Sequence, residues 1–144
     1  MKIGFFTLGC KVNQYETQAM EQILQNLGHS TAPFGEDCDG YIINTCSVTA
    51  VADKKNRAMI RRCRREHPQA VLGVCGCYSQ HDSQVVVSLG ADVVGGSGGR
   101  EAFCRISWKR VAAAIRAVMW TMPCAAGNLK CCPPAVWKAV PVPC

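Results

Sequence analysis

Short apolar runs alternate with longer stretches of helical periodicity along the first two thirds of this 144-residue chain, and that alternation is the strongest constraint on its fold. Residues 2–8 (KIGFFTL) form an apolar, aromatic-rich run of the kind a buried strand needs. Met20, Ile23, Leu24 and Leu27 then recur at helical spacing, and Gly28 supplies a stop. Asn13 is the expected N-cap of this helix, with Glu16 three residues on completing a capping box. Residues 29–34 suit a short edge strand and residues 40–44 (GYIIN) a central one. Thr49 is placed to cap a helix running to about His67, with Asp53 in its first turn and Pro68 just past its end. Residues 70–74 read as another strand, 82–89 as a short helix and 91–94 as a last strand, before a glycine-rich run at 95–99 that reads as a flexible loop. Strands separated by helices require right-handed crossovers. The expected class is therefore α/β: an open, mainly parallel sheet with flanking helices, a three-layer Rossmann or flavodoxin-like arrangement, followed by an irregular C-terminal tail.

Composition narrows the function classes. The length suits one domain, with 49% apolar residues to fill its core. No apolar run approaches the roughly 18 residues of a membrane span, since the stretch 111–120 is interrupted by Arg116. The first ten residues have too short an apolar core for an export signal, so a cytoplasmic protein is expected. Eleven cysteines, an odd number, then read as thiols rather than as a disulfide framework. None forms a C-x-x-C pair, which leaves locally encoded zinc ribbons and thioredoxin-type sites without support. Any metal site has to be assembled from distant positions. The net charge of +6 arises wholly after residue 101, because residues 1–101 hold ten basic and ten acidic side chains.

Topology suggests which cysteines meet. In an open parallel sheet, ligands gather outside the carboxyl ends of the strands. Cys10, Cys46 and Cys77 each follow an expected strand, and Gly9 and Gly76 precede two of them, as a tight turn or a close backbone approach requires. Three thiolates without a fourth protein ligand suit an iron–sulfur cluster with one open iron. Zinc with three cysteines and a water is the rival occupant. Cys38, Cys63 and Cys75 lack this placement and read as small apolar packing residues.

The basic run Lys54-Lys55, Arg57, Arg61-Arg62 and Arg64-Arg65 lies on the expected second helix. Lys54, Arg57, Arg61 and Arg65 share one helical face and form a candidate RNA-phosphate track, although such faces are usually only solvated. Asn13 and Asn44 flank the cysteines and are candidate loop-orienting residues. His29, His67 and His81 are given no catalytic role. Residues 100–119 have the apolar spacing of an amphipathic helix that packs on the sheet, and residues after 121 read as Pro-rich and irregular.

Three ordered motifs carry a resemblance to a known family. TLGCKVNQYET (7–17), NTCSVTAVADKKNRAMIRRCRR (44–65) and GCYSQ (76–80) resemble the amino-terminal domain of radical-SAM methylthiotransferases, over roughly residues 1–103. With Lys11-Val12-Asn13 after the first cysteine, the chain is most similar to the branch acting on threonylcarbamoyladenosine at position 37 of tRNA. The resemblance implies that Cys10, Cys46 and Cys77 hold a [4Fe-4S] cluster with one open iron, that the reaction adds a methylthio group at C2 of the adenine, and that tRNA is the partner. DNA and membranes are not expected partners, and the oligomeric state is left open. Full-length members also carry a radical-SAM barrel, with S-adenosylmethionine and a second cluster, and a small RNA-binding barrel. The C-x-x-x-C-x-x-C signature of that barrel does not occur here. The family pattern ends near Phe103; residues 104–120 are expected as the amphipathic helix, and 121–144 as a Pro- and Cys-rich tail with the look of a shifted reading frame. The chain alone is therefore expected to be inactive. The alternative is a stand-alone α/β module that binds metal or RNA without catalysis.

Overall fold

The computed structural model describes residues 1–47 and 49–105; the expected tail over 121–144, and all but the first two residues of the expected helix over 104–120, lie outside the described residues. The strands are β1 (Lys2–Thr7), β2 (Ser30–Pro33), β3 (Gly40–Thr45), β4 (Val71–Gly76) and β5 (Val93–Val94). The helices are α1 (Lys11–Asn26), α2 (Ala50–Glu66), α3 (Cys77–His81), α4 (Ser83–Ser88) and α5 (Arg100–Arg105). The sheet order is β2-β1-β3-β4-β5, with every pairing parallel. This is the flavodoxin-like order, with its topological switch point between β1 and β3. No helix among the described residues is long and apolar enough to cross a membrane.

Strand periodicity divides the core into two layers. Ile3, Phe5, Ile42, Val71 and Cys75 face α1 and α5, where they meet Met20, Leu24, Phe103 and Cys104. Tyr41, Ile43, Leu72 and Val74 face the other way, against Met59, Ile60 and Cys63 of α2, Tyr78 of α3 and Val86 of α4. Every residue of β3 and β4 is buried, as central strands covered on both faces must be. Each large apolar side chain so enclosed contributes about 1.5–3 kcal/mol.

Several expected boundaries agree with the structure. Thr49 caps α2 by accepting from Ala52 N at 3.1 Å, and α1 ends where Gly28 N reaches Gln25 O at 3.0 Å. Others need correction. Helix α1 begins at Lys11 with Cys10 as its N-cap, so Asn13 sits inside the first turn and does not cap it. Its carboxamide is drawn instead to two carbonyls of neighbouring loops, while Glu16 pairs with Arg100 rather than closing a capping box. Cys77 directly follows β4 and opens α3, a helix of five residues that is absent from the expected elements, too short for periodicity to reveal. The run 95–99 is not loose throughout. Gly95 N bonds Val74 O at 2.8 Å, Gly95 O accepts from Ser79, and Ser97 N donates to Gln80, which pins the first half of the run to β4 and α3.

Gly76 turns the chain from β4 into α3 at φ 109° and ψ −168°, a conformation open only to glycine. A Cβ there would overlap Thr45 O and lie 2.9 Å from Thr45 N. Gly76→Ala is therefore expected to destabilise the chain by at least about 3 kcal/mol in urea unfolding. Gly98→Ala, at a site with open space around it, is expected to change stability by less than about 1 kcal/mol. Equal effects of the two substitutions would contradict the tight β3–β4 edge.

Candidate metal centre

The parallel strands deliver three cysteines to one edge. Cys46 follows the last residue of β3, Cys77 follows the last residue of β4, and Cys10 lies three residues beyond the end of β1. In the ladder, Thr7 pairs with Asn44, Asn44 with Cys75, and Thr45 with Gly76, so these ends are neighbours. Two glycines close the gaps further. A Cβ on Gly9 (φ 121°) would lie 2.5 Å from Cys46 Cβ and 3.0 Å from Cys46 Sγ, so the residue before Cys10 rests directly on Cys46. The residue before Cys77 likewise rests on Thr45, the residue before Cys46.

Side-chain amides fix these loops. Asn13, 5% exposed, donates from Nδ2 to Leu8 O at 2.9 Å and to Thr45 O at 3.1 Å, joining the loop that carries Cys10 to the loop that carries Cys46. Asn44, with no exposed surface, donates from Nδ2 to Asn13 O at 3.0 Å and to Thr17 Oγ1 at 3.2 Å. Asn56 of α2 donates to Cys46 O at 2.8 Å. Thr45 Oγ1 donates to Cys75 O at 2.6 Å, and Ser79 Oγ to Gly76 O at 2.9 Å. Sequence reasoning singled out Asn13 and Asn44; it missed Asn56, Thr17, Ser79 and Arg100, whose partners are remote in sequence and leave no local signal.

The thiols fall into two groups. Cys10 and Cys77 are exposed and Cys46 is buried beneath them. The Cys10 thiol is held below its ordinary value, first by the backbone N–H of Asn13 and then by that of Val12, the free donors of the α1 N-terminus. Burial pushes Cys63 and Cys75 up to about 12 and Cys104 up to about 11, and it also raises Cys38. Cys63, Cys75 and Cys104 stay protonated at neutral pH. Cys10 is thus shifted in the opposite direction from the buried thiols.

The residues fit a thiolate-bound metal group in donor type, with three cysteines following three adjacent strand ends. Asn56 Oδ1, buried and without a hydrogen-bond partner, marks unfinished polar packing next to Cys46. The sulfurs themselves are not gathered: among the described residues no three His, Cys, Asp or Glu side chains are grouped closely enough to hold a metal ion. What the fold gathers is the backbone of the three cysteines.

Helix α2 runs away from this edge. Lys54, Arg61 and Arg65 are exposed and make no ion pair among the described residues. Arg57 is half-buried, with its charge beside the Tyr78 phenol, whose pKa rises first through burial while Arg57 opposes the rise. Arg64 is structural: it donates to Ala70 O at 3.0 Å and Gly90 O at 2.9 Å and pairs with Asp92. Arg62 pairs with Glu66.

Residues 2–96 match the family described as "Uncharacterized protein family UPF0004". The chain is 44% identical over 100 residues to threonylcarbamoyladenosine tRNA methylthiotransferase MtaB of Bacillus subtilis, covering 69% of this chain and 22% of that protein. It is 36% identical over 89 residues to the protein of the same name from Aquifex aeolicus, covering 62% of this chain and 22% of that one. It is also 36% identical over 83 residues to a tRNA-2-methylthio-N(6)-dimethylallyladenosine synthase of Sulfurihydrogenibium, covering 56% of this chain and 19% of that protein. The chain thus spans about a fifth of the length of the curated relatives it matches. With its three strand-end cysteines all inside the matched segment, this chain belongs to the UPF0004 family, and its homologues are tRNA methylthiotransferases.

Proposed function

We propose that this chain is the cluster-binding domain of a cytoplasmic tRNA methylthiotransferase that adds a methylthio group to C2 of N6-threonylcarbamoyladenosine-37. The observation that carries the reading is the convergence of Cys10, Cys46 and Cys77 at the carboxyl ends of three adjacent parallel strands, with Gly9 and Gly76 wedged between them. The relative at 44% identity is named for threonylcarbamoyladenosine, against 36% for the one named for dimethylallyladenosine, and this supports the former nucleoside. In this reading Cys10, Cys46 and Cys77 are the ligands of a [4Fe-4S] cluster, which supplies an iron without a protein ligand where a sulfur can bind. Asn13 and Asn56 hold the ligand loops, and the exposed positions of Cys10 and Cys77 leave the fourth side open to substrate. S-adenosylmethionine and a second cluster belong to the parts of the relatives that this chain does not match. The chain alone binds a cluster and does not turn over.

The row Lys54, Arg61 and Arg65, with Arg57 contributing less, is proposed as the tRNA contact of this domain. It extends along a 17-residue helix, about 25 Å, starting at the cysteine edge.

Three outcomes test this reading. Anaerobic reconstitution with iron and sulfide is expected to give about four of each per chain, lost in Cys10→Ala, Cys46→Ala or Cys77→Ala but retained in Cys63→Ala; one zinc per chain with no sulfide uptake overturns it. Alkylation of the metal-free chain at pH 8 is expected to label Cys10 and Cys77 fast and to leave Cys63 and Cys75 unlabelled. With pKa values raised to about 12, only about one thiol in 10,000 at each of those two sites is ionised at that pH. Their labelling should begin only as denaturant opens the fold. Titration of an anticodon stem-loop RNA against salt is expected to lose about 0.7–0.9 in slope for each of Lys54→Ala, Arg61→Ala and Arg65→Ala. Unchanged slopes would leave α2 a solvated face.

A further inference from the structure

Arg100 opens α5, far from the cysteines in sequence, yet its side chain reaches the carboxyl end of the sheet. The side chain is 13% exposed and pairs through Nη2 with Glu16 of α1. Its Nη1 donates to Asn44 Oδ1 at 3.2 Å and approaches Cys75 Sγ at 3.6 Å. The Glu16 carboxylate is the charge that anchors the guanidinium.

A guanidinium has five donors and no acceptor, so whatever amide atom faces it must be an oxygen. That requirement fixes the Asn44 carboxamide with Oδ1 toward Arg100 and Nδ2 toward Asn13 O and Thr17 Oγ1. Asn44 thereby holds the backbone of Asn13, whose own Nδ2 binds Leu8 O and Thr45 O. Leu8 lies two residues before Cys10, and Thr45 immediately precedes Cys46. The polarity of the chain Arg100, Asn44, Asn13 runs one way, each donor meeting an acceptor. Flipping Asn44 would set an NH2 group against the guanidinium and an oxygen against Asn13 O, two repulsive contacts.

We propose that Arg100, anchored by Glu16, is a positioning residue that couples the docking of α5 to the relative placement of the Cys10 and Cys46 loops. The importance of those two cysteines rests on the cluster reading above; the mechanical coupling does not. It also makes the start of α5 part of the site, although residue 100 lies beyond the matched family segment, which ends at residue 96.

Amide hydrogen exchange on the full metal-free chain tests the coupling directly. Arg100→Ala is expected to speed exchange about tenfold at residues 8–13 and 46–47, with the β3–β4 ladder and α2 unchanged. Arg100→Lys, which keeps the charge but loses the fork, should restore the α1–α5 contact and leave those two loops fast. Glu16→Gln should loosen the same loops. After reconstitution, the Arg100→Ala chain should retain iron but show a shifted EPR spectrum of the reduced cluster. Exchange unchanged at both loops, or accelerated evenly through the ladder and α2, overturns the proposal: Arg100 would then be a surface pair or a general stabiliser. If wild-type chain takes up no iron and sulfide while Arg100→Ala still loosens only the two loops, the cluster reading fails and the coupling stands. If both chains load about four irons with identical exchange and spectra, the coupling fails and the cluster reading stands.

Discussion

Parallel pairing is the constraint on which the rest of the structure depends. A strand added parallel to its neighbour must be re-entered from the opposite edge, so every crossover helix returns the chain to the same starting side. All five strands then end on one edge, and the loops leaving adjacent strands are neighbours. The switch between β1 and β3 opens a crevice between the first helix pair, and two of the three strand-end cysteines, Cys10 and Cys46, flank it. Antiparallel pairing would send alternate cysteines to opposite edges. The candidate site is thus a consequence of strand direction before it is a consequence of any side chain.

Much of this is legible in the sequence, for a physical reason that also sets its limit. Apolar periodicity reports burial locally, so β1, β3, β4 and the long helices α1 and α2 can be read from residue spacing, and the cysteines then fall at strand ends. Asn13 shows where that reading stops. An asparagine ahead of an apolar helical stretch looks the same whether it caps its own helix or reaches into the next loop. Here two carbonyls, Leu8 O and Thr45 O, take its donors, and Cys10 takes the cap position. Glu16 is misread in the same way, because its partner Arg100 lies on the last described helix. Arg64 is indistinguishable in sequence from Arg61 and Arg65, yet three backbone carbonyls and Asp92 hold it against the sheet. Long-range polar pairing leaves no periodic trace.

The cysteines illustrate how one residue type divides by environment. Cys63, Cys75 and Cys104 are enclosed by apolar neighbours, and desolvation of the thiolate keeps them as inert thiols. Cys10 sits where the backbone N–H groups of Asn13 and Val12 at the start of α1 reach it, and the same chemistry runs in the opposite direction. Burial and helix-start donors thus give the thiols of one chain different chemistry, with Cys10 pushed down and Cys63, Cys75 and Cys104 pushed up.

The polar web behind the cysteines is costly, and its cost indicates what it is for. Each buried polar group left without a partner destabilises the fold by about 1–3 kcal/mol, and among the described residues both Asn56 Oδ1 and Arg100 Nε are left so. Apolar residues of similar volume would give a more stable edge. What the amides give instead is fixed backbone: Leu8, Asn13, Thr45 and Cys46 are each held by a side chain from another element. Ordering a residue at the moment of ligand binding costs about 1–2 kcal/mol, so loops that are rigid beforehand bind a group across three strands with less loss. The sulfurs of Cys10 and Cys77 are exposed on that fixed backbone, although among the described residues the thiols are not grouped. An edge built for stability alone would have the reverse design, with buried sulfurs on an apolar, self-sufficient frame.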